Sequence, residues 1–209
     1  MNTQEKIHEG KLIAIIRNAQ PDDLLNISEA LIKGGMSLIE VTLNSQQALQ
    51  GITRLKKALG TEVIIGAGTV LDPESAKAAI DAGADFLLSP TVNEATIKLT
   101  KRYGKVSIPG AFTPTEILSA YEYGADFIKL FPARMGPEYI KDLKGPLSHI
   151  PLIPTGGINQ SNVQAFLNAG SAACGIGSSL VNTTEAITKT SLEELTRKAK
   201  RFVSLAKNS

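Results

Sequence analysis

The chain lacks much of what several protein classes require. Cys174 is the only cysteine among 209 residues, so no internal disulfide can form. The only histidines, His8 and His149, each precede an apolar run, which places them at the bottom or side of a fold and not among converging carboxylates. A metal-dependent mechanism is therefore not expected, and no cofactor is called for. Aromatic residues make up 5%, with no tryptophan, too sparse and scattered for a platform on which nucleic-acid bases stack. The net charge of +2 gives no reason to expect nucleic acid as a partner. The one small basic cluster, Lys198, Lys200 and Arg201, reads as the solvated face of a terminal helix. No apolar run approaches the roughly 20 residues of a membrane span. The polar start Met1-Asn2-Thr3-Gln4-Glu5-Lys6 lacks a signal-peptide core, which leaves the cytoplasm as the expected location.

What is present is a repeat within one domain covering residues 1–209. Hydrophobic residues make up 43% and charged residues 20%, ordinary for a soluble globular protein. A helical pattern, a glycine turn, a short apolar run and a Gly/Pro/Ser/Thr loop recur along the chain. Gly83-Ala84-Asp85-Phe86 and Gly124-Ala125-Asp126-Phe127 are two copies of one junction. Gly83 and Gly124 read as residues just past a helix end, where glycine enters the left-handed region without a Cβ penalty. Eight strands are predicted: Leu12–Arg17, Leu38–Leu43, Val63–Gly68, Phe86–Ser89, Val106–Ile108, Phe127–Leu130, Leu152–Pro154 and Ala173–Ile176. Their starts lie about 20 to 27 residues apart, a period that signals a repeat architecture. Helix starts between them include Asp72-Pro73-Glu74, an N-cap followed by proline, and the capping boxes Thr91–Glu94 and Thr113–Glu116. A further helix is predicted from Thr3 to about Glu9, and the last from about Leu192 to Lys207. Alternating strands and helices imply a buried parallel sheet. Eight units suggest an α/β fold of the TIM (β/α)8-barrel type with an additional N-terminal helix. An open doubly wound sheet is the competing architecture, but no Gly-x-Gly-x-x-Gly follows the first strand.

In such a barrel the chemistry sits at the carboxyl ends of the strands. Lys129 lies in Phe127-Ile128-Lys129-Leu130-Phe131-Pro132, a single amine among apolar residues. Lysine is almost never fully buried unless paired or functional. Burial disfavours the ammonium form, and a neutral amine is a nucleophile suited to forming a Schiff base with a carbonyl. Glu40 is the second anomaly, in Leu38-Ile39-Glu40-Val41-Thr42-Leu43. Period-2 alternation turns Glu40 and Thr42 inward, with Ile39 and Val41 facing the helix layer. Glu40 and Lys129 then form either a structural ion pair or an acid/base partner with its nucleophile. Buried pairs are a poor way to stabilise a core, which favours the second. Gly156-Gly157 after strand 7 and Gly177-Ser178 after strand 8 stand where this fold recurrently binds phosphate through backbone N–H groups; as tight turns they carry no such meaning. Arg17 ends strand 1 and can grip a carboxylate with two parallel hydrogen bonds, or pair with Glu40. Cys174 reads as a small buried apolar residue and Asp72 as a helix cap.

Ile39-Glu40-Val41-Thr42, Gly66-Ala67-Gly68-Thr69-Val70, the lysine segment through Ala133, Pro154-Thr155-Gly156-Gly157-Ile158 and Gly177-Ser178 occur here in one order. Over roughly residues 11–205 the chain resembles the class I 2-keto-3-deoxy-6-phosphogluconate (KDPG) / 4-hydroxy-2-oxoglutarate (KHG) aldolases. The resemblance implies a Schiff-base lysine at Lys129 and a general acid/base at Glu40. It implies substrate contacts at Thr69, with Arg17, Pro90, Phe131 and Thr155 as further candidates at the mouth, and phosphate binding at Gly156, Gly157, Gly177 and Ser178. It also implies a homotrimer acting on a phosphorylated 2-keto acid. Many members carry an arginine four residues after the glutamate; here that position is Asn44. Asn44 and the segment Met135–Lys141 also resemble the related 2-keto-3-deoxy-6-phosphogalactonate (KDPGal) aldolases. An isomerase or epimerase using Glu40 as a base, and a non-catalytic metabolite sensor, are the alternatives.

Overall fold

A computed structural model describes residues 1–61 and 63–208. The strands are β1 Leu12–Ile16, β2 Leu38–Thr42, β3 Ile64–Gly68, β4 Phe86–Leu88, β5 Val106–Ile108, β6 Gly110–Ala111, β7 Ile128–Leu130, β8 Leu152–Pro154 and β9 Cys174–Ile176. The α-helices are α1 Thr3–Gly10, α2 Asp23–Lys33, α3 Ala48–Leu59, α4 Pro73–Asp81, α5 Glu94–Arg102, α6 Pro114–Glu122, α7 Pro137–Lys144, α8 Val163–Asn168 and α9 Lys189–Lys207. All ladders are parallel. One runs in the order β5-β4-β3-β2-β1-β9 and the other β6-β7-β8. The bridge Thr155↔Gly175 joins β8 to β9. Residues 106–111 join the two ladders on the other side, because β5 pairs with β4 and β6 with β7. The result is an α/β barrel of eight staves with a helix beneath it.

The fifth strand was expected over Val106–Ile108 alone, yet pairing resumes at Gly110–Ala111. Proline has no N–H to give the ladder, which splits the stave. Its carbonyl still accepts the Lys129 N–H at 2.9 Å, so Lys129 is held in register across the split.

Period-2 alternation sorts the strand residues into two cores. Ile13, Leu38, Ile64, Phe86, Leu88, Val106, Ile108, Phe127, Ile153 and Ala173 pack with Ile7 of α1 inside the barrel. Their neighbours Ala14, Ile39, Val41, Ile65, Leu87, Ile128, Leu130 and Cys174 pack outward against the helices. Each fully buried Ile or Phe contributes about 1.5–3 kcal/mol, so the interior cluster fastens the lower barrel firmly. Helix α1 plugs the bottom. His8 sits 4.9 Å from the Phe127 ring, and Gln4 Nε2 donates to Asp126.

The Gly-Ala-Asp junctions tie neighbouring staves together. Asp85 accepts the Ile65 N–H at 3.0 Å and Lys56 Nζ at 2.8 Å. Asp126 accepts the Ser107 N–H at 2.8 Å in the same way. Gly83 and Gly124 both lie at φ +103, as expected past a helix end. Asp72 and Thr113 cap α4 and α6. Two helix starts differ from expectation. Asn93, not Thr91, caps α5, because its extended backbone brings Oδ1 within 2.9 Å of the Thr96 N–H. Helix α9 begins at Lys189 because Thr188 and Ser191 form a capping box one turn earlier than read from the apolar pattern.

Candidate active site

The apolar filling stops near the carboxyl ends of the strands, and polar side chains replace it. Lys129 is 4% exposed and Glu40 1%, each on an inward position of its strand. Lys129 inherits its direction from the strand period: Phe127 below it is in the interior core, while Ile128 and Leu130 face the helices. Its Nζ lies 5.2 Å from the Phe131 ring centroid, and Lys129 lines a cavity of about 440 Å³.

Glu40 has room because the neighbouring strand β3 ends in glycine, at Gly68, over which its carboxyl lies. A Cβ on Gly68 would stand 1.8 Å from Glu40 Oε1. Among the described residues neither carboxylate oxygen of Glu40 has a hydrogen-bond partner. A buried polar group left so is costly and is normally avoided. Burial pushes the Glu40 carboxyl above its ordinary range, with the charges of Lys129 and Arg17 acting in the opposite sense. Desolvation thus outweighs the attraction of the two nearby cations at this carboxyl.

The cavity gathers Lys129, Phe131, Thr155, Gly156, Gly157, Gly177, Ser178 and Arg17 from four separate stretches of chain. Gly156 and Gly157 lie at φ +92 and +87, a conformation most residues avoid, and a Cβ on Gly157 or Gly177 would meet nothing within 4 Å. Both glycines therefore open backbone to the cavity. Leu180 and Val181 donate back to the Gly177 carbonyl at 2.9 and 3.0 Å, curling the loop after β9 into a turn. Arg17 is exposed at the mouth, and its carbonyl accepts Thr183 Oγ1 at 2.7 Å. Thr69 and Pro90 follow β3 and β4 and, like Glu40, do not line this cavity; Thr69 has φ +57, and the Pro90 backbone packs against Gly110. Asn44 is exposed and also lies outside the lining.

Sequence reasoning missed Asn18, Asn159, Ser179, Asn182, Thr183 and Thr184, all of which line the cavity. Their signal was available as small polar residues soon after predicted strands 1, 7 and 8. Cys174 faces the helices, and burial pushes its thiol up to about 12, so it is no nucleophile. Among the described residues no three His, Cys, Asp or Glu side chains come together as a metal-binding group.

A family model described as KDPG and KHG aldolase matches residues 3–198. The chain belongs to the KDPG and KHG aldolase family. A 2-dehydro-3-deoxy-6-phosphogalactonate aldolase of Escherichia coli K12 is 38% identical over 181 residues, covering 86% of this chain and 88% of that protein. A KHG/KDPG aldolase of the same organism is 32% identical over 200 residues, covering 95% and 93%. A native KDPGal structure superposes with a TM-score of 0.88 at 36% identity over 94% of both chains. Family membership agrees with the barrel.

Proposed function

We propose that this family member is a class I aldolase cleaving 2-keto-3-deoxy-6-phosphogluconate to pyruvate and glyceraldehyde 3-phosphate, and acting also on 4-hydroxy-2-oxoglutarate to give pyruvate and glyoxylate. The observation that carries the reading is Lys129, a lysine buried at the cavity in the same barrel mouth as a buried, hydrogen-bond-free Glu40. Lys129 Nζ, as the free amine, attacks the C2 carbonyl of the 2-keto acid. The carbinolamine loses water to give an iminium, which serves as electron sink. Glu40, directly or through a water, takes the proton of the C4 hydroxyl. The C3–C4 bond breaks, its electrons form an enamine, and the aldehyde departs. Protonation at C3 and addition of water to the iminium release pyruvate and restore the amine. Arg17 meets the substrate carboxylate at the mouth, with Phe131 and Thr155 shaping the space around the reacting carbons. Thr69 and Pro90, which lie outside the cavity lining, have no part in this reading. Gly156, Gly157, Gly177 and Ser178 receive the phosphate. The working unit is a homotrimer in the cytoplasm, to be checked by light scattering on the purified protein; no described helix is long and apolar enough to cross a membrane.

The test is borohydride reduction in the presence of pyruvate. A mass increase on Lys129 is expected. An isomerase, epimerase or metabolite sensor would give none, and an unlabelled lysine would end the Schiff-base reading. A second reading concerns the C4 epimer. Asn44 in place of the frequent arginine, together with the 38% identity to the galactonate-series relative, favours 2-keto-3-deoxy-6-phosphogalactonate. Comparing kcat/KM for the two epimers decides between them.

A further inference from the structure

Asn162 lies outside the cavity, yet it sets how the backbone faces it. Its Nδ2 donates to the Gly157 carbonyl at 2.9 Å, and its Oδ1 accepts the Asn159 N–H at 2.8 Å. From the opposite side Ser179, in the loop after β9, donates through Oγ to the Ile158 carbonyl at 2.6 Å. In a trans peptide the C=O and N–H point in opposite directions. The Ile158–Asn159 peptide accordingly spans from Ser179, at its carbonyl, to Asn162, at its N–H. The Gly157–Ile158 peptide is turned over relative to it. Its carbonyl accepts from Asn162 Nδ2, with Asn159 Nδ2 a longer donor at 3.4 Å, so the Ile158 N–H faces the Ser179 side, the gap between the loops after β8 and β9. Ile158 and Ser179 both line the cavity. Among the described residues the Ile158 N–H has no protein acceptor. The φ of +87 at Gly157 is part of the same turned-over geometry.

Capping of α8 does not account for Asn162. It stands at the N-cap position, but its side chain makes no capping hydrogen bond. Both ends of its amide are spent on the Gly157–Asn159 backbone instead. An amide suits this task because it donates and accepts at once.

We propose that Asn162 is a positioning residue for anion recognition: it holds the Gly157–Ile158 peptide so that its N–H is presented to the phosphoryl group of the substrate. The proposal rests on the reading of the two loops as a phosphate site. The test uses the full-length enzyme with the 6-phosphorylated substrate, unphosphorylated 4-hydroxy-2-oxoglutarate, and inorganic phosphate as competing inhibitor. Asn162→Ala should raise KM for the phosphorylated substrate, and the inhibition constant of phosphate, by about tenfold, the scale of one hydrogen bond to a charged group. The kcat, and both constants for 4-hydroxy-2-oxoglutarate, should stay at parent values. Asn162→Asp keeps the acceptor for the Asn159 N–H but sets an oxygen against the Gly157 carbonyl. It should lose phosphate recognition at least as far, and it carries the test if the alanine variant does not fold.

Gly177→Val separates this idea from the reading beneath it. That position has no positive φ and open space around a Cβ, so the side chain enters the cavity without backbone strain. If Gly177→Val selectively harms the phosphorylated substrate while both Asn162 variants bind phosphate like the parent, the positioning role is wrong and the phosphate site stands. If Gly177→Val harms both substrates alike, the phosphate site falls and the role of Asn162 falls with it. Equal losses on both substrates in the Asn162 variants would also overturn the proposal.

Discussion

Replacing Glu40 by glutamine separates two accounts of the barrel mouth, because they differ in sign as well as size. If Glu40 and Lys129 were a structural ion pair, glutamine would leave a buried ammonium uncompensated. Breaking a buried pair in this way costs about 3–5 kcal/mol. For a chain of this length each kcal/mol moves Tm by about 2–4 °C, so the midpoint would drop by roughly 6–20 °C. The structure argues otherwise, since neither Glu40 oxygen has a hydrogen-bond partner among the described residues and the largest influence on the carboxyl is desolvation. Glutamine has the same shape and no charge to desolvate. Tm near neutral pH should therefore hold or rise.

The pH dependence carries a sign of its own. The folded-state pKa of Glu40 is raised. Its contribution to stability is then fully present below the unfolded carboxylate value and is lost as pH rises through the folded value. Any gain from Glu40→Gln belongs above that window and vanishes in acid. Turnover behaves oppositely. Removing a general acid/base should slow cleavage by about a hundredfold or more, close to 2.7 kcal/mol of barrier. The assays are thermal denaturation across pH and pyruvate release coupled to an NADH-consuming dehydrogenase. A large fall in Tm with near-normal turnover would refute the reasoning.

Lys129→Ala should abolish aldol cleavage and borohydride labelling while leaving the circular dichroism spectrum intact; activity above a few per cent of parent would remove the Schiff base from Lys129. Arg17→Lys should raise KM for 2-keto acids well beyond a surface change, because an ammonium cannot reproduce the guanidinium fork. Arg17 also lowers the Glu40 pKa, so Arg17→Ala should move the acid limb of kcat/KM to higher pH; an unmoved limb and unchanged KM in both variants would dismiss this residue. Gly157→Val should lose the phosphorylated substrate selectively, with about 1–3 kcal/mol of backbone strain at φ +87 showing as a lower Tm; equal losses on both substrates would count against the loop.

Period-2 alternation and the spacing of glycine turns are local properties, and they were enough to place the staves, to turn Glu40 and Lys129 inward and to set the glycine pairs after the last two strands. Composition supplied the other expectations: one cysteine and two histidines turned attention to the amine and the carboxyl. Four strand ends of distant sequence had to converge before the cavity existed, and no pattern along the chain measures that convergence. Only the tertiary structure put Thr183 on the Arg17 carbonyl, left Glu40, Thr69, Pro90 and Asn44 outside the cavity lining, and buried both oxygens of Glu40 beside Gly68 without a hydrogen-bond partner among the described residues. Hydrogen bonds such as those of Asn162 depend on ångström-scale separations and on which way a peptide is turned. Residue type says what a side chain can donate or accept; the fold alone brings the partner within reach.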